Sequence, residues 1–163
     1  MTAAVRVFGI GSPFGDDRIG WLAADALESV FDPAYVVISK HDRPGAKLIA
    51  LMSGAERVVL IDGVCTGAAP GTLHRLESEA IFSVIARHTS SHGIGLAEAI
   101  KLGKILGDLP PWLVLWGIEI GGMKGEAISQ AARDALPRLV SAVADEIATI
   151  IDGLEKIFTA PET

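Results

Sequence analysis

Short apolar runs alternate along this chain with stretches in which apolar residues recur at helical spacing. The runs are AVRVFGI (4–10), YVVISK (35–40), RVVLIDGV (57–64), GTLHRL (71–76) and WLVLWGIEI (112–120), and each reads as a strand. Helical spacing marks 17–30, 46–53, 93–106 and 129–157, the first through Ile19, Leu22, Ala23, Ala26 and Leu27. Pro137 should kink the last helix or start a second one, because proline lacks an amide donor and crowds the preceding turn. Such alternation is the trace of βαβ units, so the expectation is a five-stranded, mostly parallel sheet. The second, third and fifth runs are nearly continuous in hydrophobicity, as strands covered on both faces are. The fourth alternates and follows the third after a short loop, which predicts an edge strand, antiparallel to its neighbour.

A length of 163 residues, half of them hydrophobic, is enough for one ordinary core, and no linker or repeat divides it. The reading is one domain over 1–163, with a frayed tail from 158. The net charge of -6 offers no basic face for phosphates, which argues against a nucleic-acid partner. Cys65 is the only cysteine, so an internal disulfide is excluded. There is no signal-peptide pattern at Met1 and no apolar stretch near the ~20 residues of a membrane span, so a cytoplasmic protein without a membrane partner is expected.

The segment VFGIGSPFGDDRIG (7–20) sits between the first strand and the first helix, where a glycine-rich loop could cradle a phosphate. Its spacing fails the dinucleotide pattern: Gly9 and Gly11 are followed by Phe14 where a third glycine belongs. Asp16 and Asp17 would also repel an anion, while the helix dipole favours them. One aspartate here is ordinarily an N-cap. Two adjacent ones point apart, so one can cap while the other faces outward as a cation ligand.

Ligands of open α/β sheets gather beyond the carboxyl ends of the strands. Asp62 arrives there at the end of an apolar run, where a carboxylate needs donors or a metal unless it only opens an Asx turn. His92, just before the helix at 93–106, is held neutral by a helix N-terminus and so can ligate metal, although a lone histidine is most often a loop residue. Asp17, Asp62 and His92 together would offer two oxygens and one nitrogen, a set that suits nickel, zinc or iron. Cys65 as a nucleophile with His92 as its base is the weaker reading, since a free cysteine is usually a small buried hydrophobe. Surface roles are the default for His41, Asp42 and His74, and core roles for Trp112 and Trp116.

The segments GIGSPFGDDRIG, LIDGVCTGAAPGTLHRL, SSHGIGLAEAI and LWGIEI, in this order and spacing, resemble the nickel-iron hydrogenase maturation endopeptidases over roughly residues 5–150. The resemblance implies a three-layer α/β/α sandwich around a twisted sheet. It implies an endopeptidase that removes the C-terminal extension of a hydrogenase large-subunit precursor after nickel insertion, with the substrate's nickel as the recognition element and no organic cofactor. Carried over by motif, the metal-contacting and catalytic positions are Asp17, Asp62 and His92. The chain departs from the family at SKHDRPGAKL, where many members carry Asp-Gly-Gly-Thr and where Asp42 stands nearest to that aspartate. It departs again at GIEI, in place of Gly-Ile-Glu-Pro, which leaves Glu119 without an assigned role. The rival readings are a nickel-binding checkpoint protein that holds the precursor uncut, and a small nucleotide-binding domain.

Overall fold

The computed structural model describes residues 3–85, 95–121 and 127–159. Five strands, β1 (Val5–Gly11), β2 (Val36–Asp42), β3 (Arg57–Val64), β4 (Leu73–Glu77) and β5 (Trp112–Glu119), form one sheet in the order β2-β1-β3-β5-β4. β2, β1, β3 and β5 run parallel, and β4 lies antiparallel to β5 at the edge, as its alternating pattern predicted. A single 3-10 turn, Gly15–Arg18, leads into α1 (Ile19–Glu28). The remaining helices are α2 (Lys47–Met52), α3 (Ser78–Ile85), α4 (Leu96–Leu106) and α5 (Gln130–Thr159).

Strand alternation separates two cores. Val59 and Ile61 of β3 face α1 and α5, joining Ile19, Leu27, Leu139 and Ile147. Val58 and Leu60 face the other way, onto Leu48 and Met52 of α2, Ile81 of α3 and Ile100 of α4. The result is the expected three-layer sandwich. α5 forms because Ala132, Ala135, Leu139, Val143 and Ile147 recur at helical spacing and are all buried. It continues through Pro137 as one element, so no second helix begins there.

Two expectations need correction. β2 is an edge strand with Val37 44% exposed, so its apolar content does not mark a strand covered on both faces. The helix α3 was not expected. Its apolar residues Ala80, Ile81, Phe82 and Val84 are nearly consecutive and give no clear period. Among the described residues, no helix is long and apolar enough to cross a membrane.

The strand order fixes where a ligand would bind. From β1 the chain passes through α1 to β2 on one side, and β3 then lies on the other side of β1. Connections leave in opposite directions between β1 and β3, and such a switch point opens a crevice at the strands' carboxyl ends. The chain segments that reach this rim are the turn after β1 and the last residues of β3.

Candidate active site

The glycines of the opening loop let a helix approach the sheet. A Cβ on Gly9 would run into the Gly20 carbonyl oxygen and come within 2.8 Å of the Ala24 Cβ, while one on Gly20 would strike the carbonyl oxygens of Ile10 and, at 2.5 Å, Ile61. At Gly11 the obstacle is the carbonyl oxygen of Asp17. Several loop amides are also already used. Ser12 N donates to Asp17 O at 3.1 Å, Asp17 N to Phe14 O at 3.1 Å, and Phe14 N to Ser12 Oγ at 3.5 Å. The glycine pattern therefore serves close packing of α1 on β1 and β3, and the nucleotide reading loses its main support.

The two adjacent aspartates do divide their work, but not by capping their own helix. Neither the 3-10 turn nor α1 has a side-chain cap. Asp16, 7% exposed, instead reaches across the chain to Ser129, accepting from its backbone N at 2.6 Å and its Oγ at 2.7 Å. Ser129 Oγ in turn accepts from Ala132 N at 3.2 Å, so it caps α5, and Asp16 anchors that cap to the rim. Asp17 is partly exposed and makes no such bond to Ser129.

Asp62 occupies the third-last pair of the β3/β5 register before the rim, opposite Gly117. Desolvation pushes its carboxyl well above the usual aspartate range, the negative charge of Asp17 pushes it further, and the Gly63 amide offsets part of this. The fold thus brings together two of the three residues singled out in the sequence, close enough that the charge of Asp17 acts on the Asp62 carboxyl. The third, His92, lies outside the described residues. Among the described residues, no group of three or more histidine, cysteine, aspartate or glutamate side chains is assembled for a metal ion.

β3 pairs with β5 up to Val64 and Glu119, and beyond this pair the chain turns into a loop that a buried carboxylate holds down. Glu119, 3% exposed, accepts from Thr66 N at 2.7 Å, Thr66 Oγ1 at 2.7 Å and Gly67 N at 3.0 Å. Its Oε2 lies 2.9 Å from His74 Nε2 on β4. Burial alone would raise the Glu119 pKa, but the donors from Thr66, His74 and Gly67 outweigh it and hold the carboxyl below its ordinary range. His74 is correspondingly no surface residue: its side chain is 16% exposed. A lone acid in an otherwise apolar strand was the available signal, since such a group must find donors.

The other candidates take modest places. Asp42 pairs with Arg43 Nε at 3.0 Å in an exposed contact. His41 is partly buried, its Nε2 2.9 Å from Ser39 Oγ and its ring edge-on to Phe8; desolvation first, and Lys47 second, lower its pKa. The Cys65 thiol lies 3.6 Å from the Ile120 carbonyl oxygen. Trp112 and Trp116 pack against the α1/α5 core while remaining partly exposed.

Fold and rim together define a doubly wound α/β protein with two aspartates, Asp17 and Asp62, near its switch point. Residues 30–146 match the family model described as hydrogenase maturation protease, and the chain belongs to this family. That span contains Asp62 and His92 and begins after Asp17. The hydrogenase 2 maturation protease of Escherichia coli K12 is 28% identical over 117 residues, covering 70% of this chain and 71% of that protein. The hydrogenase expression/formation protein HupD of Thiocapsa roseopersicina is 30% identical over 118 residues, 71% of this chain and 53% of its own length. Among solved structures, the hydrogenase maturating endopeptidase HybD from Escherichia coli superposes with a TM-score of 0.75 at 24% identity, over 85% of this chain and 88% of that one. A hydrogenase 2 maturation peptidase from a Thaumarchaeota archaeon gives 0.64 at 28% identity, over 88% and 97%. The protein is accordingly a peptide-bond hydrolase of hydrogenase maturation.

Proposed function

We propose that the protein removes the C-terminal extension of a nickel-iron hydrogenase large-subunit precursor once nickel is in place, and that Asp17, Asp62 and His92 engage the nickel carried by that substrate. The observation that carries this reading is the raised pKa of the desolvated Asp62 at the switch point, to which the charge of Asp17 contributes. Two carboxyls that share one site resist ionising together, and a divalent ion relieves the conflict by displacing the proton and pairing with both. An incoming nickel-loaded precursor supplies that ion, and a precursor without nickel does not.

The place of His92 in the sequence, just ahead of α4, supports including it in the same scheme. α4 precedes β5, which runs parallel to β3, so the start of α4 at Leu96 belongs to the carboxyl end of the sheet, and α4 packs on the face that holds Leu60. His92 is three residues before Gly95, the N-cap of α4, and that length of chain reaches at most about 10 Å. Docked through its metal, the precursor presents the nearby peptide to water that the nickel polarises or that a carboxylate deprotonates. The cytoplasmic setting belongs to the same proposal.

Mass analysis of a nickel-loaded precursor before and after incubation tests it. Wild type should shorten the precursor, and Asp17→Ala, Asp62→Ala or His92→Ala should leave it whole while retaining the folded circular dichroism spectrum. An unchanged precursor with wild type would reject the proposal, and so would full processing by all three variants.

A further inference from the structure

Arg18 ends the same 3-10 turn that carries Asp17, so its backbone lies at the rim of the crevice. Its Nε is buried without a hydrogen-bond partner, the only such side-chain nitrogen or oxygen among the described residues. Other arginines are served: Arg6 by the carbonyls of Leu51 and Ser53, Arg75 by Glu77 and Glu146, Arg138 by the Gly71 carbonyl. The nearest acids in sequence do not serve Arg18. Asp16 spends both carboxylate oxygens on Ser129, and Asp17 makes no ion pair among the described residues. An unpaired buried N–H is costly, and a guanidinium offers a rigid fork of donors that suits a carboxylate or carbonyl oxygen.

We infer that Arg18 is a substrate-binding residue, whose side chain turns out of its buried position on docking so that Nε and its neighbouring donors take a carboxylate or peptide carbonyl oxygen of the precursor next to the metal. This rests on the reading of the crevice as the place where the precursor docks. The orphaned donor is then a feature of the free protein, and binding supplies the missing acceptor. Its presence beside Asp17 also gives the rim a cation as well as an anion, so the precursor is read by an oxygen acceptor in addition to its nickel.

The test measures KM and kcat for cleavage of the nickel-loaded precursor, with the Tm of each free variant. Arg18→Met keeps an unbranched apolar stem and deletes a donor that has no partner, so Tm should hold or rise. KM should increase by about 10-fold or more, because a charge-assisted contact is lost, with kcat within about twofold of wild type. Arg18→Lys keeps the charge without the fork and should also raise KM. An unchanged KM in Arg18→Met, a wild-type KM in Arg18→Lys, or a Tm loss of several degrees would each overturn the inference. If wild type itself leaves the precursor whole, the functional reading has failed; if wild type cuts and Arg18→Met cuts with equal KM, the inference alone has failed.

Discussion

Replacing Asp16 and Asp17 one at a time should separate folding from chemistry at neighbouring positions. The Asp16 carboxylate is buried and accepts two short bonds from Ser129, at 2.6 Å and 2.7 Å. Bonds to a charged acceptor contribute about 1.5–3 kcal/mol each, and the two share one residue, so Asp16→Ala should cost about 3 kcal/mol. For a chain of this size each kcal/mol moves Tm by about 2–4 °C, giving a fall of roughly 6–12 °C by thermal circular dichroism. Asp17→Asn should stay within about 0.5 kcal/mol of wild type or gain stability, because it removes the charge that burdens Asp62. A double-mutant cycle with Ser129→Ala should show coupling of at least about 1 kcal/mol for Asp16 and none for Asp17. The reasoning is refuted if Asp16→Ala costs under about 1 kcal/mol, or if Asp17→Asn costs as much as Asp16→Ala.

Asp62 ionises with more difficulty in the folded chain than in the unfolded one, so above the ordinary value of 3.8 the folded chain retains a proton that the unfolded chain has released. Stability then falls as pH climbs through that window, and Asp62→Asn should melt above wild type at pH 7 with the gap closing below about pH 4; a gap of the opposite sign defeats the assignment. Glu119 is the reverse case. Its lowered pKa gives stability that is present above 4.5 and lost as pH falls, so Glu119→Gln should cost about 2 kcal/mol at pH 7 and progressively less in acid, as urea titrations at several pH values would record. Gly20→Ala puts a methyl group against the carbonyl oxygens of Ile10 and Ile61, and the protein should lose about 3 kcal/mol or fail to accumulate in soluble form; a wild-type Tm would show that α1 can yield.

Where one local pattern decided the outcome, the sequence was readable. The eight residues RVVLIDGV form β3 with the bounds read from them, because an apolar run closed by aspartate and glycine has few other uses. The antiparallel edge strand followed from alternation and a short loop. Long-range partners were not readable. Asp16 and Ser129 stand 113 residues apart, and Glu119 and His74 stand 45 apart, so nothing local to either pair announces the bond. The glycines of the opening loop showed that backbone comes close to something there; only the fold shows that the something is α1. β2 misled for a related reason, since the composition of a strand reports its burial only loosely when helix and solvent share its faces. Asp17 was chosen at a helix N-terminus and Asp62 at a strand end, and the order β2-β1-β3-β5-β4 is what brings them to one crevice.

Side-by-side cleavage of nickel-loaded and nickel-free precursor by the wild-type protein, read by intact mass, tests the central claim most directly. On the proposed reading Asp17 and Asp62 engage the substrate's nickel, so the loaded precursor should be shortened and the nickel-free one should remain whole. Equal shortening of both would contradict the account, because the rim would then select its substrate without the metal.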